Sequence, residues 1–364
     1  MPKRTTPRLP FEFHGHHVPA GTRQRVPLLV GSYLTYEELH LQVTVIHGKN
    51  PGPTLLLTGC IHGDEFNSTE IIRRILRQPI LSKLAGTLLA VPIVNRPGFV
   101  NRSRYMPDRR DLNRLFPGSA GGPLGSRLAR VLSEDVLPRA DAVIDLHTGA
   151  VNRPNLSQVR VSEGDRRSLE LAKVFAPPIT LVGRIREGSF RATCRETGTP
   201  MLLFESGEAL RLDTPSIRFG TQGILTVMRH LDMLPRRKRE YRTTKSTLVA
   251  DKSFWQRAPA GGLFTPLVAL GKAVEQGTLL GFVADPQGGG ENPVVCDRHG
   301  LVIGRTNDAV VDEGDGLFHI AVLANLDALD DAENHIARNA NALPSVDADD
   351  DHPVAYDSIN DTIL

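Results

Sequence analysis

Three apolar runs, each ending in a residue capable of chemistry, constrain this chain more than any other feature. They are TLLLTG (54–59), AVIDLH (142–147) and MLLFES (201–206). A continuous apolar strand has to be covered on both faces, the condition of a central strand in a parallel sheet. Between the first two runs the spacing turns helical. Ile71, Ile72, Ile75 and Leu76 recur on one face from a start at Asn67 or Ser68, with Glu70 near the first turn, and Pro79 stops them. TLLAVPIVN (87–95) reads as a further strand and RLARVLSEDVL (127–137) as an amphipathic helix, while VPLLVGSYL (26–34) and LHLQVTVIHG (39–48) alternate as strands. Strand and helix in alternation predict an α/β fold with a mixed, largely parallel sheet flanked by helices.

The pattern changes after a basic stretch at 229–245, which holds seven Lys/Arg. No nucleic-acid-binding fold motif accompanies these charges, so the stretch reads as a linker rather than a nucleic-acid surface. Beyond it lies an internal repeat of about 37 residues: AVEQGTLLGFVA (273–284) aligns with VVDEGDGLFHIA (310–321). Short β-runs broken by glycine and repeated twice predict a small all-β barrel-sandwich module. It resembles the biotinyl and lipoyl carrier modules but lacks their modifiable-lysine motif, so a swinging-arm role is not expected. The domain expectation is therefore a catalytic unit over 1–240, a β module over 241–326 and an acidic, disordered tail over 327–364.

The overall charge of +2 hides a division. Residues 327–364 hold ten acidic residues against Arg338, a net of −9, which leaves the first 326 residues at +11. No apolar run reaches the length of a spanning helix, and the basic N-terminus has no apolar stretch behind it, so the expected location is the cytoplasm, with no membrane partner. Cys60, Cys194 and Cys296 are too few and too scattered for a disulfide framework or a thiolate zinc motif.

The strongest local motif is HGDE (62–65), where a buried strand gives way to a helix. Sites in open α/β sheets form at the carboxyl ends of strands. His62 and Glu65, three apart in a turn, can aim a ring nitrogen and a carboxylate at one point. His147 ends a second buried strand. Either histidine alone is equally well explained as a hydrogen-bonded strand-end residue, but His, Glu and His together make a tripod suited to one catalytic zinc ion per chain, leaving a position for water. Glu205 closes a third strand, where an ionised carboxylate needs a partner or a task, and it can serve as the base toward that water. Between strand and helix, six arginines fall within residues 96–114. Beside a metal tripod, they suit carboxylate binding and oxyanion stabilisation. HGHH (14–17), Cys60 and the glycine-rich pieces at 118–123 and 287–291 are read as incidental, buried or flexible.

In this order, HGDE, DLNRLFPG (111–118), DLHTG (145–149) and ESG (205–207) resemble the succinylglutamate desuccinylase/aspartoacylase family, a branch of the zinc carboxypeptidase clan. The resemblance spans about residues 25–325 and implies a zinc carboxypeptidase-like fold with a terminal β module. It implies that His62, Glu65 and His147 bind Zn2+, that Glu205 is the general acid/base and that Arg104 polarises the scissile carbonyl. Asn113 and Arg114 then hold the substrate's α-carboxylate, and Asp64 and Asp111 orient a ligand histidine and the arginines. Clan enzymes also bring a tyrosine over the substrate; the tyrosines here are 33, 36, 105, 241 and 356, none of them in the repeat.

The reading is a zinc-dependent amidohydrolase acting on a small anionic N-acyl amino acid. A carboxypeptidase acting on a peptide C-terminus is the alternative. A zinc-holding interaction module is disfavoured by the complete set of ligands, base and arginines. Neither nucleic acid nor membrane is expected as a partner, and a homo-oligomer is compatible with the sequence.

Overall fold

A computed structural model describes residues 8–236 and 247–323. A short hairpin, β1 (Phe11–Phe13) and β2 (His16–Val18), opens the chain and contains the HGHH motif. Then come β3 (Thr22–Ser32), β4 (Glu38–His47), β5 (Asn50–Gly59), α1 (Phe66–Leu76), β6 (Ala85–Val91) and α2 (Arg96–Asn101). They are followed by α3 (Leu124–Arg130), β7 (Ala142–Gly149), β8 (Asn155–Ser162), α4 (Arg166–Phe175), β9 (Ile179–Gly183), α5 (Phe190–Glu196), β10 (Met201–Glu208) and α6 (Thr214–His230). The helical path predicted over 127–137 begins at Leu124 and widens into a π turn over Val131–Val136. The strand expected to reach residue 95 stops at Val91, where proline follows and ends the ladder.

The three apolar runs lie side by side at the centre of a mixed sheet. β7 is parallel to β10 on one side and to β5 on the other, and β6 continues the parallel set. β4 and β3 extend one edge antiparallel, and β8 pairs antiparallel with the other side of β10. Along β5, Leu56 faces a core shared with Leu128, Leu132 and Phe190. Leu55 and Leu57 face a second core shared with Ile71, Ile75, Phe204, Ile224 and Met228. Helices therefore cover both faces, each fully buried Leu or Phe contributing about 1.5–3 kcal/mol. β3 is the outer strand; its buried Val26, Leu28 and Val30 alternate with exposed positions that include Pro27, a residue an edge tolerates.

The remaining strands are β11 (Leu248–Ala250), β12 (Ser253–Arg257), β13 (Gly262–Pro266), β14 (Ala273–Val274), β15 (Leu279–Ala284), β16 (Glu291–Val295), β17 (Gly300–Arg305), β18 (Val310–Val311) and β19 (Gly316–Val322). The internal repeat is visible strand for strand, with β13, β14 and β15 answered by β17, β18 and β19. Each repeat pairs its own outer strands, β13 with β15 and β17 with β19. Each lends its middle strand to the other, β14 to β17 and β18 to β13. β13, β15, β16 and β18 form a four-stranded antiparallel sheet. β17 instead joins the main sheet beside β8, and β11 adds to β9. An apolar joint of Ile179, Leu181, Ala250, Leu301, Ile303 and Ala321 fastens the module to the catalytic unit.

The basic stretch beyond residue 236 and the acidic segment 327–364 lie outside the described residues. No described helix is long and apolar enough to cross a membrane.

Within the module His319 stacks on Trp255, ring centroids 4.9 Å apart, and its Nε2 lies 2.9 Å from Ser253 Oγ. Burial, with the positive Arg160 adding to it, pushes this imidazole down from 6.5 to about 3. Between those two values the unfolded chain binds a proton that the folded chain refuses. His319 thus costs nothing above pH 6.5 and weakens the fold progressively below it. The expected outcome is that the Tm of wild type falls faster than that of His319→Phe between pH 6.5 and 4.5. Parallel melting curves across that range would contradict this.

Candidate metal centre and active site

At the carboxyl end of β5 the chain turns sharply. Cys60 takes a left-handed conformation, φ +50°, and its backbone N–H donates to Ser68 Oγ (2.9 Å). Ser68 in turn donates to the Glu65 carbonyl, tying the turn to the first residues of α1. Gly63 lies so close to α2 that an added Cβ would fall 2.1 Å from the Gly98 carbonyl carbon, so only glycine fits. This turn projects His62 and Glu65 inward, and β7 delivers His147 to the same point.

The three side chains are buried, with ligand atoms all within 4.8 Å of one another. His62 Nδ1 lies 2.7 Å from Glu65 Oε1, and His147 Nδ1 lies 2.9 Å from Oε2. Apart from that imidazole, Oε2 is buried without a partner. The other nitrogen of each ring rests on a carboxylate: His62 Nε2 is 3.1 Å from Asp111 Oδ1, and His147 Nε2 is 2.7 Å from Asp145 Oδ2. Asp145 also accepts from Thr58 Oγ1 (2.7 Å). Two imidazoles presenting the same nitrogen to a shared carboxylate, their outer nitrogens fixed by acids, match the requirements of a mononuclear metal site. Burial alone would raise the Glu65 carboxyl, but the two histidines hold it well below the usual carboxylate range. Burial would lower both imidazoles, and the surrounding acids raise them instead. The pocket is thus built to hold positive charge at its centre.

The arginine loop closes over this centre through Asp111. Asn95 caps α2, accepting from Gly98 N, and its Nδ2 reaches the Arg104 carbonyl. Arg104 Nη2 donates to Asp111 Oδ2 (3.0 Å), and Nη1 lies 3.6 Å from Glu65 Oε1. Despite its burial, these acids raise the Arg104 pKa further. Asp111 also accepts from Asn113 N, and Arg114 Nη2 lies 3.9 Å from its Oδ2. Asn113 is buried, and its Oδ1 accepts from Phe190 N (2.9 Å). Asp64 is placed differently. Its Oδ1 is buried with no hydrogen-bond partner, and the residue's carbonyl accepts from Leu210 N. The acid that holds His147 is Asp145, which the sequence analysis did not single out, although its place two residues before His147 on one face of a strand marks it.

Glu205 stands in register with His147 on the adjoining parallel strand. Its Oε2 accepts from Asn155 Nδ2 (2.8 Å), and Arg160 Nε lies 3.7 Å from Oε1. Arg191 lies nearby, its guanidinium pushed down to about 10 by burial and by Arg160. Arg186 adds positive charge to both Arg114 and Arg191. Asn155, Arg160 and Arg191 were not foreseen, because no local motif marks them and only the pairing of β8 with β10 brings the first two to the site.

A mixed sheet carrying a buried His–Glu–His metal site at its strand ends defines a metal-binding hydrolase of the amidohydrolase type. Residues 51–231 match the succinylglutamate desuccinylase/aspartoacylase catalytic domain, and the chain belongs to this family of deacylases. It is 28% identical over 292 residues to the N-alpha-acetyl-L-2,4-diaminobutyric acid deacetylase of Halomonas elongata, covering 77% of this chain and 85% of that one. A succinylglutamate desuccinylase/aspartoacylase structure from Rhodobacter sphaeroides is 26% identical with a TM-score of 0.73, covering 83% of this chain and 96% of that one. The product-bound ectoine utilization protein EutE (DoeB) of Ruegeria pomeroyi is 25% identical with a TM-score of 0.73, covering 87% and 98%.

The outer acids give one test of the metal site. Asp145→Asn should still take up one divalent ion per chain at saturation, with an affinity lowered about 10- to 100-fold in chelator competition. Unchanged affinity would show that His147 does not depend on Asp145.

Proposed function

We propose that this protein is a zinc-dependent hydrolase that cleaves the amide bond of an N-acyl amino acid bearing a free α-carboxylate. The observation that carries this reading is the joint placement of Glu205, Arg104 and Arg114 around the buried triad, with one residue, Asp111, contacting a ligand histidine and both arginines. When bound by His62, Glu65 and His147, a zinc ion would polarise water and the scissile carbonyl. Glu205 takes a proton from the attacking water and returns one to the leaving nitrogen. Arg104 donates to the oxygen on which negative charge develops. Asn113 has its Oδ1 committed to Phe190, so the group it offers a substrate is its Nδ2 donor, which suits a carboxylate. Arg114 supplies the matching charge.

The deacetylase relative from Halomonas elongata supports an acetyl group as the acyl part. The side chain of the amino acid is a separate matter. Diaminobutyrate carries a second amine, whereas Arg160, Arg186 and Arg191 place positive charge around Glu205 here. Those arginines favour an anionic or neutral side chain over a cationic one.

A panel of N-acetyl and N-succinyl amino acids, with short peptides alongside, tests the reading. N-acyl amino acids with a free carboxylate should be cleaved, their amides should be poor substrates, and N-acetylaspartate should exceed N-acetyl-diaminobutyrate. Cleavage confined to peptides would make the enzyme a carboxypeptidase. Glu205→Gln should retain one zinc per chain and lose about 10²- to 10⁴-fold in kcat, and a wild-type rate in that variant would remove Glu205 as the base.

A further inference from the structure

The C-terminal module has no part in the chemistry outlined above, yet it is bonded to the segment that leads into β8. Asn307 N donates to the Asn152 carbonyl (2.6 Å), Asn152 Nδ2 to Asp308 Oδ1 (2.7 Å) and Arg305 N to the Pro154 carbonyl (3.3 Å). Gln158 Nε2 donates to the Ile303 carbonyl (3.2 Å). The residue through which β17 pairs with β8 is Asn155, opposite Gly304. Residues 303–308 thus clamp 152–158 from one side, and Asn155, at the middle of the clamp, is the donor to Glu205 Oε2.

The orientation of the Asn155 amide follows from its two neighbours. A carboxylate only accepts, so Nδ2 faces Glu205, and Oδ1 faces Gly304. A Cβ on Gly304 would fall 3.0 Å from Asn155 Oδ1 and 3.2 Å from His319 Cβ. His319, whose Cβ closes the other side of this gap, is held by the stacking of its ring on Trp255. Glycine at 304 leaves just the room the Asn155 carboxamide occupies. Glu205 Oε1 accepts no hydrogen bond among the described residues, so Asn155 is the group that restrains this carboxylate by hydrogen bonding.

We infer that Asn155 is the positioning residue of Glu205, and that the β module completes the catalytic centre by backing Asn155 through Gly304 and His319. The module's contribution is to hold one rotamer of one side chain rather than to bind a partner or cover the substrate. The inference rests on Glu205 acting as the general base.

The test uses the full-length, zinc-loaded protein and the best-cleaved N-acetyl amino acid from the panel above. Asn155→Ala should lower kcat about 10- to 100-fold, with KM within about twofold of wild type and one zinc retained. Asn155→Asp keeps the shape but sets an anion against Glu205, so it should be worse than alanine; a residue with a packing role alone would show the opposite order. Gly304→Ala, which touches neither the metal ligands nor the base, should lower kcat in wild type and add little on top of Asn155→Ala. The inference is overturned if both Asn155 variants turn over at the wild-type kcat, if the loss lies wholly in KM, or if aspartate outperforms alanine. A fully active Glu205→Gln would instead remove the base assignment beneath it, so the two failures are separable.

Discussion

The Glu65 carboxylate is enclosed by protein and ionised, and the arrangement of the active site follows from that. An isolated carboxylate in such a place is too costly to survive. His62, His147 and Arg104 surround it with positive charge, and those groups would in turn be unbalanced without Asp111 and Asp145. Each acid in the series answers a base, and each base is supplied by a different element: the turn after β5, the loop after α2, and β7. The carboxyl ends of parallel strands are where these elements converge without sacrificing the apolar cores on either face. With the positive demand so concentrated, a divalent ion is the natural completion of the site.

Much of this was readable from the linear chain because the decisive residues sit at strand ends. TLLLTG, AVIDLH and MLLFES are unbroken apolar runs, so their burial, their parallel grouping and the side on which His62, His147 and Glu205 emerge follow from one rule about open sheets. The internal repeat was equally legible, since three strands answer three strands across about 37 residues. What stayed hidden was pairing at a distance. Asn155, Arg160 and Arg191 carry no motif, and the first two reach Glu205 only because β8 runs antiparallel against β10. Asp145 was passed over for a different reason: inside an apolar strand it resembles an interruption rather than an anchor, and only the orientation of the His147 ring exposes its task. Nor could the helix boundaries near Val131 be read, because a π turn continues the apolar stripe with altered spacing.

The module and the catalytic unit form one body. They share the apolar joint around Ile179, Leu301 and Ile303, the pairing of β17 with β8 at Gly304 and Asn155, and the clamp on residues 152–158. A binding domain meant to move would be joined by a polar, sparsely bonded seam. This seam instead transmits position, which suits a part that fixes a side chain in the active site.

The exchange of β14 and β18 between the repeats bears on the order in which the chain can be built. Neither repeat can satisfy its own ladders, so the module closes only when β19, ending at Val322, is available. All three metal ligands lie before residue 150, two on the turn after β5 and one on β7, which pairs with β5. During synthesis from the N-terminus, these three residues are therefore made about 170 residues before His319, which backs Asn155. The residues that would hold the metal are thus made early, and those proposed to support Glu205 through Asn155 are made last, with the final strands of the fold.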